Sequence, residues 1–402
     1  MTKNTLNIGL FGYGTVGSGL FYVLEKGKTK NVNIKKIAIR DPKKERNITQ
    51  EIFTTNPDDI LEDPEINLVV ELIDDADASY KIVTKALKNG KSVVSANKKM
   101  IAENFPELIQ LQKENNVALL YDASACGSIP VVRNLEEYYD NDLLTSIIGI
   151  LNGSSNYILS KLFKENCSYQ EALKQAQDLG FAESNPALDV NGYDALYKSV
   201  ILSVHGFGIY IHPSEIFSYG IANIQKFDIQ YAKEKGLKIK LISHMLKLSD
   251  SEFVNFVIPR LTKPQEYIYN VEYEYNGVVI EGECYEKQLM FGKGAGAYPT
   301  GSAVLSDITA RIHNYKYEYK KKNYSNPLNY IDTPLLEIYV RYQSEEDLKL
   351  FNFVKINETY HGKEANFVVG EICLKDLKNI DNLIDKQNIF IAFTGKISNL
   401  QQ

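Results

Sequence analysis

Short apolar segments alternate with helical segments through the first 130 residues of the chain. The segment LVVELI (68–73) is apolar at nearly every position, which is typical of a parallel strand covered on both faces. Apolar residues at helical spacing follow the first strand, as at Val16, Leu20 and Leu24. The pattern predicts strands at 6–12, 34–39, 68–73, 92–96 and 117–121, with helices at 76–89 and 106–115. Repeated βα units of this length predict an α/β fold with a doubly wound parallel sheet.

A glycine-rich turn, GYGTVG (12–17), lies between the first predicted strand and the helix after it. A second strand follows, so the turn has the context that a dinucleotide-binding motif requires. Its glycines permit a tight turn and a close backbone approach to a pyrophosphate, and the helix N-terminus supplies unpaired N–H groups. The alternative is a set of glycines that serve only the turn. We predict that the three glycines of the motif, Gly12, Gly14 and Gly17, bind the cofactor here.

Basic residues follow the second predicted strand, where Arg40 precedes Asp41 and Lys43, Lys44 and Arg46 come next. An acidic residue at this strand end typically binds the ribose hydroxyls of NAD, whereas an arginine accommodates the 2′-phosphate of NADP. Because Arg40 comes before Asp41, the sequence favours NADP(H) bound through Arg40. Asp41 is close enough that NAD remains an alternative cofactor. The structural alternative is a solvated, charged loop.

Three later motifs carry candidate chemistry. SANKK (95–99) stands at the end of the predicted strand KSVVS, and a lysine at that carboxyl end can donate a proton or stabilise charge in the ligand crevice. GILNGSSNYI (149–158) runs from a strand through a polar turn into a helix. Asp194 and Lys198 stand at i and i+4 on a very apolar helix predicted over 194–206, where a charged pair needs partners or a ligand. The structural alternatives are a surface lysine, a capped helix entry and an ordinary ion pair.

The last part of the chain contains a second glycine-rich loop and a repeated strand–helix pattern. GKGAGAYPTGSA (292–303) precedes a helix predicted over 302–313, and it lacks the GK[ST] of a Walker motif, so a nucleotide kinase is disfavoured. The basic, tyrosine-rich stretch over 315–323 predicts a linker. After Pro334 the pattern is βαββαβ, the ferredoxin-like order.

The composition of the chain mainly excludes certain classes of partner and site. The chain has 402 residues, 44% hydrophobic and 24% charged, which is the balance of an ordinary globular protein with two or three domains. A net charge of −6 argues against a nucleic-acid or anionic-membrane partner. Four widely spaced cysteines and five histidines form no disulfide framework and no zinc motif. No apolar stretch has the length of a membrane span and no signal sequence is evident, so we expect a cytoplasmic location.

Taken in order, six motifs resemble the homoserine dehydrogenase family over roughly residues 5–312: GYGTVG, SANKKMIA, YDASACGSIP, GILNGSSNYIL, LGFAESNPALDVNGYDALYK and GKGAGAYPTGSAVLSDI. The resemblance implies a Rossmann dinucleotide-binding domain at 1–130 plus about 290–322, and an α+β catalytic and dimerisation domain at 131–289. The segment 330–402 is similar to the ferredoxin-like ACT regulatory module. The family reversibly reduces L-aspartate 4-semialdehyde to L-homoserine with NADPH or NADH, on the path to threonine and methionine.

The resemblance also implies site residues, by motif position. Lys98 and Lys198 are the implied catalytic pair. The implied substrate-binding residues are Glu183, Asp194, Asn152 and Gly153. The implied cofactor-binding residues besides the three glycines of the first turn are Thr15, Val16, Ser95, Asn97, Lys98 and Gly296. A Na⁺ or K⁺ site is implied at Asp122, Ala125, Gly127 and Ile129, although an aspartate stands where the family often has glutamate.

The resemblance further implies a homodimer or a dimer of dimers and a small-molecule substrate, with no nucleic-acid and no membrane partner. An amino-acid effector at the C-terminal module is expected, and the alternative is a dimerisation or stability module without a ligand. Two other functions stay open: a different Rossmann oxidoreductase acting on a sugar or another semialdehyde, and a non-catalytic nucleotide-binding regulator. A regulator would be expected to lack one of the four residues Lys98, Glu183, Asp194 and Lys198, and all four are present.

Overall fold

A computed structural model describes residues 5–27, 29–46, 48, 50–141, 143–182, 185–323, 327–386 and 389–398. The chain divides into two compact units, one of Met1–Asp140 with Lys293–Asn323 and one of Asn141–Gly292 with Tyr324–Gln402. Within the described ranges no helix combines the length and the apolar character that crossing a bilayer requires.

Parallel strands form the sheet of the first unit: β1 (Leu6–Phe11), β2 (Val32–Ala38), β3 (Phe53–Thr54), β4 (Leu68–Glu71), β5 (Ser92–Ser95) and β6 (Leu119–Leu120). Helices connect and follow them: α1 (Thr15–Gly27), α2 (Asp58–Leu61), α3 (Ala76–Lys88), α4 (Lys98–Glu114), α5 (Ala123–Cys126) and α6 (Val131–Glu137), with a 3₁₀ turn at Gln50–Ile52. The strand order β3-β2-β1-β4-β5-β6 is that of a doubly wound dinucleotide-binding sheet. The predicted α/β class is therefore confirmed.

Helix α4 begins well before the predicted start at residue 106. Asn97 caps it by accepting a hydrogen bond from the backbone N–H of Met100 (3.0 Å), as side-chain amides do at helix starts. The earlier start places Lys98 in the first turn. Pro106 lies inside the helix, just after a kink at Asn104, whose φ of −118° and ψ of 18° are not helical.

The second unit contains strands β7 (Leu144–Ile150), β8 (Phe217–Ser218), β9 (Lys238–Lys247), β10 (Glu252–Thr262), β11 (Tyr275–Gly282) and β12 (Glu286–Lys293). Its helices in this region are α7 (Gly153–Glu165), α8 (Tyr169–Asp178), α9 (Ala187–Val190), α10 (Tyr193–Phe207) and α11 (Lys226–Glu234), with 3₁₀ turns at Pro213–Glu215 and Tyr267–Asn270. Strand β7 pairs antiparallel with both β11 and β9. Every residue of α10 after Tyr193 is buried, so its charged residues lie inside the unit.

Helix α12 (Ala297–Ile312) returns to the first unit and packs against α1. Two glycines make this contact close: a Cβ on Gly19 would lie 2.1 Å from the carbonyl oxygen of Ala297, and one on Gly301 would lie 2.7 Å from the backbone nitrogen of Leu20. The helix starts earlier than the predicted residue 302, with Gly296 as its N-cap. The second glycine-rich loop therefore serves helix packing as well as the turn.

The predicted linker over 315–323 is wrong. Tyr317 and Tyr319 are buried in the first unit, and the hydroxyls of Tyr121 and Tyr319 lie 3.0 Å apart. The amide of Gln112 also donates to the carbonyl of Tyr317 (3.1 Å). The run ends in a 3₁₀ turn at Lys320–Asn323. Tyrosine supplies a large apolar ring with a polar tip, so a polar-looking sequence can still build a core.

The C-terminal elements are β13 (Asn329–Tyr330), β14 (Leu335–Tyr342), α13 (Glu345–Leu348), β15 (Lys355–His361), β16 (Asn366–Cys373), α14 (Leu374–Lys386) and β17 (Phe390–Ser398). The four longer strands run in the order β17-β14-β16-β15 with antiparallel neighbours, as in a ferredoxin-like fold. Strand β17 also pairs with β10 through Arg260 and Phe393. The strands described in this unit therefore form a single eleven-stranded sheet.

A buried ion pair ties the C-terminal strands to α11. Arg341 on β14 and Asp228 on α11 are fully buried, and the Nε of Arg341 lies 3.0 Å from a carboxylate oxygen of Asp228. The hydroxyl of Tyr339 donates to the same carboxylate (2.9 Å). Burial raises the pKa of Asp228, and the Arg341 guanidinium opposes that shift. The division into three domains at the expected boundaries stays a prediction.

Candidate active site

The first glycine turn has the geometry of a pyrophosphate-binding loop. Gly12 has a φ of +93°, and a Cβ there would lie 2.7 Å from the carbonyl oxygen of Leu72. A Cβ on Gly17 would lie 2.3 Å from the carbonyl oxygen of Gly12, so the turn closes tightly against the start of α1. A Cβ on Gly14 would meet no atom of the described residues within 4 Å. The turn thus leaves one open face beside the N-terminus of α1, where Thr15 and Val16 begin the helix, and this fits a dinucleotide.

The loop after β2 is closed by its own side chains. The Arg46 guanidinium donates to the carbonyl oxygens of Asp41 (2.9 Å) and Lys44 (2.6 Å), and it lies over the ring of Phe53. The carboxylate of Asp41 accepts from the backbone N–H of Lys43 (2.9 Å). Arg40 is exposed. The residue that fits a 2′-phosphate is therefore exposed, while Arg46 and Asp41 shape the loop.

A polar network holds the loop after β5. The hydroxyl of Ser95 donates to Oε2 of Glu71 (2.6 Å) and accepts from the backbone N–H of Asn97 (3.1 Å). The side-chain amide of Asn97 donates to the carbonyl oxygen of Ile73 (3.1 Å), which belongs to the loop after β4. Lys98 follows as the first residue of α4 and is half-buried. Ser95, Asn97 and Lys98 therefore lie together at the carboxyl edge of the sheet, as predicted for cofactor binding.

Glu71 was missed by the sequence analysis. It ends strand β4, is completely buried, and stands within the LVVELI segment whose other residues are apolar. The signal that could have found it is that single acid in an otherwise apolar strand, because an ionisable group is rarely buried without a function or a partner.

The second unit contains a buried cluster around Lys198. Asn152 caps α7, and its side-chain amide donates to Asp194 (2.9 Å) and Asp189 (2.7 Å). Lys198 donates to Asp194 (2.7 Å) and to the carbonyl oxygen of Leu151 (2.7 Å). The side chains of Lys198 and Asp194 are only 9% and 6% exposed. Three predicted residues, Asn152, Asp194 and Lys198, are thus brought together.

Two further residues complete this cluster. Asp189, on α9, shares the amide of Asn152 with Asp194. Asn276, on β11, donates its side-chain amide to the Leu151 carbonyl (2.9 Å), the same oxygen that accepts from Lys198. Lys198 has two acceptors among the described residues, so one of its three protons stays available for a ligand.

Gly153 and Glu183 are the two remaining residues that were predicted to bind the substrate. A Cβ on Gly153 would lie 2.6 Å from the carbonyl oxygen of Glu274, so close packing requires glycine there whatever its contact with substrate. Glu183 lies outside the described residues. Phe181, nearby in sequence, packs its ring 5.0 Å from that of Tyr157.

The expected cation loop is held by hydrogen bonds of its own, and the cation site itself stays a prediction. The Asp122 carboxylate accepts from the backbone N–H of Arg133 (3.2 Å), and the Asp122 carbonyl accepts from Ala125 (3.3 Å). The Ile129 carbonyl accepts from Val131 (2.8 Å). Gly127 turns with a φ of +55°, where a Cβ would lie 2.5 Å from the backbone of Gly294. Within the described ranges no group of three or more His, Cys, Asp or Glu side chains is placed to hold a metal ion.

The doubly wound sheet, its open glycine turn and the buried lysine–aspartate cluster define an NAD(P)-dependent oxidoreductase. Family models agree: residues 12–122 match the NAD-binding domain of homoserine dehydrogenase, and residues 130–309 match homoserine dehydrogenase itself. The chain belongs to the homoserine dehydrogenase family.

Individual relatives support the same assignment. The homoserine dehydrogenase of Bacillus subtilis is 35% identical over 331 residues, covering 80% of this chain and 76% of that one. That of Helicobacter pylori is 39% identical, covering 76% and 73%. The crystal structure of the Thiobacillus denitrificans homoserine dehydrogenase matches with a TM-score of 0.81 at 28% identity, covering 98% and 97%. A hyperthermophilic archaeal homoserine dehydrogenase mutant, solved with NADPH, matches with a TM-score of 0.67 at 26% identity, covering 78% and 99%.

Proposed function

We propose that this chain reversibly reduces L-aspartate 4-semialdehyde to L-homoserine with NADPH. The observation that carries the proposal, beyond family membership, is the buried Asn152–Asp194–Lys198 cluster, which presents one ammonium proton to a ligand. The bound cofactor supplies the hydride that reduces the aldehyde carbon. Lys198 then stabilises the negative charge that develops on the aldehyde oxygen and transfers a proton to it, which yields the alcohol.

The other residues have supporting roles in this proposal. Asp194 offsets the charge of Lys198 and fixes its direction, and Asp194 with Glu183 binds the substrate ammonium. Lys98 is the second catalytic lysine, at the cofactor side. The first glycine turn, Ser95, Asn97 and Gly296 hold the cofactor, and Arg40 favours the 2′-phosphate of NADP over NAD.

A spectrophotometric assay at 340 nm with L-homoserine and each oxidised cofactor tests the activity. If Lys198 is the proton donor, Lys198→Met should lower kcat by about 10²- to 10⁴-fold, the range that general acid–base groups supply. Lys161→Met is the matched control, because Lys161 lies on α7 and pairs with Glu165 instead of with the cluster. A folded Lys198→Met variant with most of the wild-type kcat would refute the assignment.

The quaternary and regulatory proposals are a homodimer or dimer of dimers, a cytoplasmic location, and an ACT-like C-terminal module that binds an amino-acid effector. Titration of threonine into the assay, with the whole chain, tests the effector. Deletion of the module would be a poor test, because it would leave Asp228 buried without the Arg341 guanidinium. Sedimentation analysis of the purified chain tests the oligomer.

A further inference from the structure

Glu71 connects the two loops that form the cofactor edge of the first unit. Its Oε2 accepts from the hydroxyl of Ser95, after β5, and its Oε1 accepts from the backbone N–H of Ile73 (2.7 Å), after β4. The Ser95 hydroxyl also accepts from the backbone N–H of Asn97, and the side-chain amide of Asn97 donates to the Ile73 carbonyl. This closed set of hydrogen bonds fixes both loops relative to each other.

The hydrogen bonds of Glu71 suit a carboxylate. Both oxygens accept, and the donors are a hydroxyl and a backbone N–H. Among the described residues no lysine or arginine forms an ion pair with it, so its charge is not cancelled by a cation. Burial raises the pKa of Glu71, and the hydrogen bonds to the carboxylate act in the opposite direction. Helices α3 and α4 begin on the same two loops, and their N-termini carry partial positive charge that also favours the carboxylate.

Glu71 also stands next to the glycine turn. Strand β4 is the direct neighbour of β1, with Phe11 paired to Glu71. The carbonyl of Leu72, the residue after Glu71, is the atom that a Cβ on Gly12 would strike at 2.7 Å. The Glu71 carboxyl group therefore lies at the carboxyl edge of the central strands, where dinucleotides bind in this fold.

We propose that Glu71 is a positioning residue for the loop Ser95–Lys98, and that its negative charge favours the oxidised cofactor over the reduced one. The nicotinamide ring is a cation when oxidised and neutral when reduced, whereas the rest of the dinucleotide is the same. A nearby carboxylate therefore changes the difference between the two affinities, and loop positioning changes both affinities together. The inference rests on the proposed cofactor site.

Dissociation constants of NADP⁺ and NADPH, measured by calorimetry with the whole chain, separate these effects. In Glu71→Gln, which removes the charge and keeps the size, the ratio of the NADP⁺ to the NADPH constant should rise roughly fivefold, a typical order for one partly screened charge. Glu71→Asp keeps the charge and disturbs the geometry, so both constants should rise while their ratio stays within about twofold of wild type.

Glu136→Gln is the matched control. Glu136 is also a buried glutamate of the first unit, but it lies on α6 and accepts from the backbone N–H of Glu318 (3.3 Å). The variant should leave the ratio unchanged. Glu71→Met is the second test variant if Glu71→Gln does not fold, because an apolar side chain of similar volume removes the charge without burying an amide.

An unchanged ratio in the folded charge-removing variants would overturn the role of the Glu71 charge, and so would a Glu71→Asp ratio that shifts as Glu71→Gln does. Unchanged absolute constants in Glu71→Asp would overturn the positioning role. Failure of the wild-type chain to bind either form of the cofactor would instead refute the proposed function, so the two failures are distinguishable.

Discussion

Asn276 offers a sharp test of how the second unit orients Lys198. Its amide and the Lys198 ammonium share the Leu151 carbonyl, at 2.9 and 2.7 Å. The register of β11 against β7 pairs Gly277 with Ile150, which brings Asn276 beside Leu151 where the ladder ends. In Asn276→Ala the Leu151 carbonyl still accepts from Lys198. It loses the Asn276 amide, the group that fixes the direction of the carbonyl. We expect kcat to fall about tenfold, or about 1.4 kcal/mol of transition-state stabilisation, with KM little changed.

The expected effect on stability is small, because two contributions oppose each other. The lost hydrogen bond costs about 0.5–1.5 kcal/mol. However, Oδ1 of Asn276 is buried and has no hydrogen-bond partner among the described residues, and removing such an atom recovers about 1–3 kcal/mol of desolvation penalty. The free energy of unfolding should therefore stay within about 2 kcal/mol of wild type. A fall in kcat at nearly unchanged stability identifies orientation as the cause.

Asn255→Ala is the control for that interpretation. Asn255 is also fully buried, and its Oδ1 also has no partner in the described part of the chain. Its amide donates to Ser203 on α10, the helix that carries Lys198. The two variants lose the same groups, but only Asn276 contacts Leu151. Steady-state kinetics and chemical denaturation of both variants suffice. Equal kcat values for the two variants, or a kcat of Asn276→Ala within twofold of wild type, would show that the shared carbonyl does not orient Lys198.

Three further predictions concern the buried ionisable groups of the second unit. His244 stacks on Phe256, and burial lowers its pKa well below 6.5, so the unfolded chain binds the proton more readily. Wild type should thus lose up to about 1.4 kcal/mol of stability per pH unit below pH 6.5, relative to His244→Phe. The same pH dependence of the free energy of unfolding in both proteins would contradict this. Burial lowers the pKa of Lys240 to about 8, so wild type should gain stability relative to Lys240→Met as pH rises from 8 to 10, by up to about 1.4 kcal/mol per unit. Asp228→Asn should cost about 3–5 kcal/mol in denaturation experiments because it removes the carboxylate that offsets the buried charge of Arg341, and a cost below 1 kcal/mol would mean that water reaches the pair.

Much of the architecture was predictable because local patterns determine local structure. The alternation of apolar and helical segments predicted the βα units, and the glycine turn with its flanking elements predicted the dinucleotide site. The βαββαβ pattern after Pro334 matches the observed element order. Asp194 and Lys198, one helical turn apart, were predicted to share a face, and they do so and form an ion pair. The start of α4 was predicted too late, although its signal is also local: Asn97 supplies the cap.

The sequence by itself thus determined the type and order of the elements and, through its motifs, the family and most of the candidate residues. Tertiary structure decided which distant groups share an atom. Asn276 and Lys198 meet at the Leu151 carbonyl only because β11 pairs with β7. Position 301 requires a glycine only because α12 packs on Gly19 of α1. Glu71 becomes significant only when β4 and β5 bring Ser95 to its carboxylate. Hydrophobic periodicity reports which face of an element is buried and says nothing about its neighbour, so these contacts emerge only when the chain closes on itself.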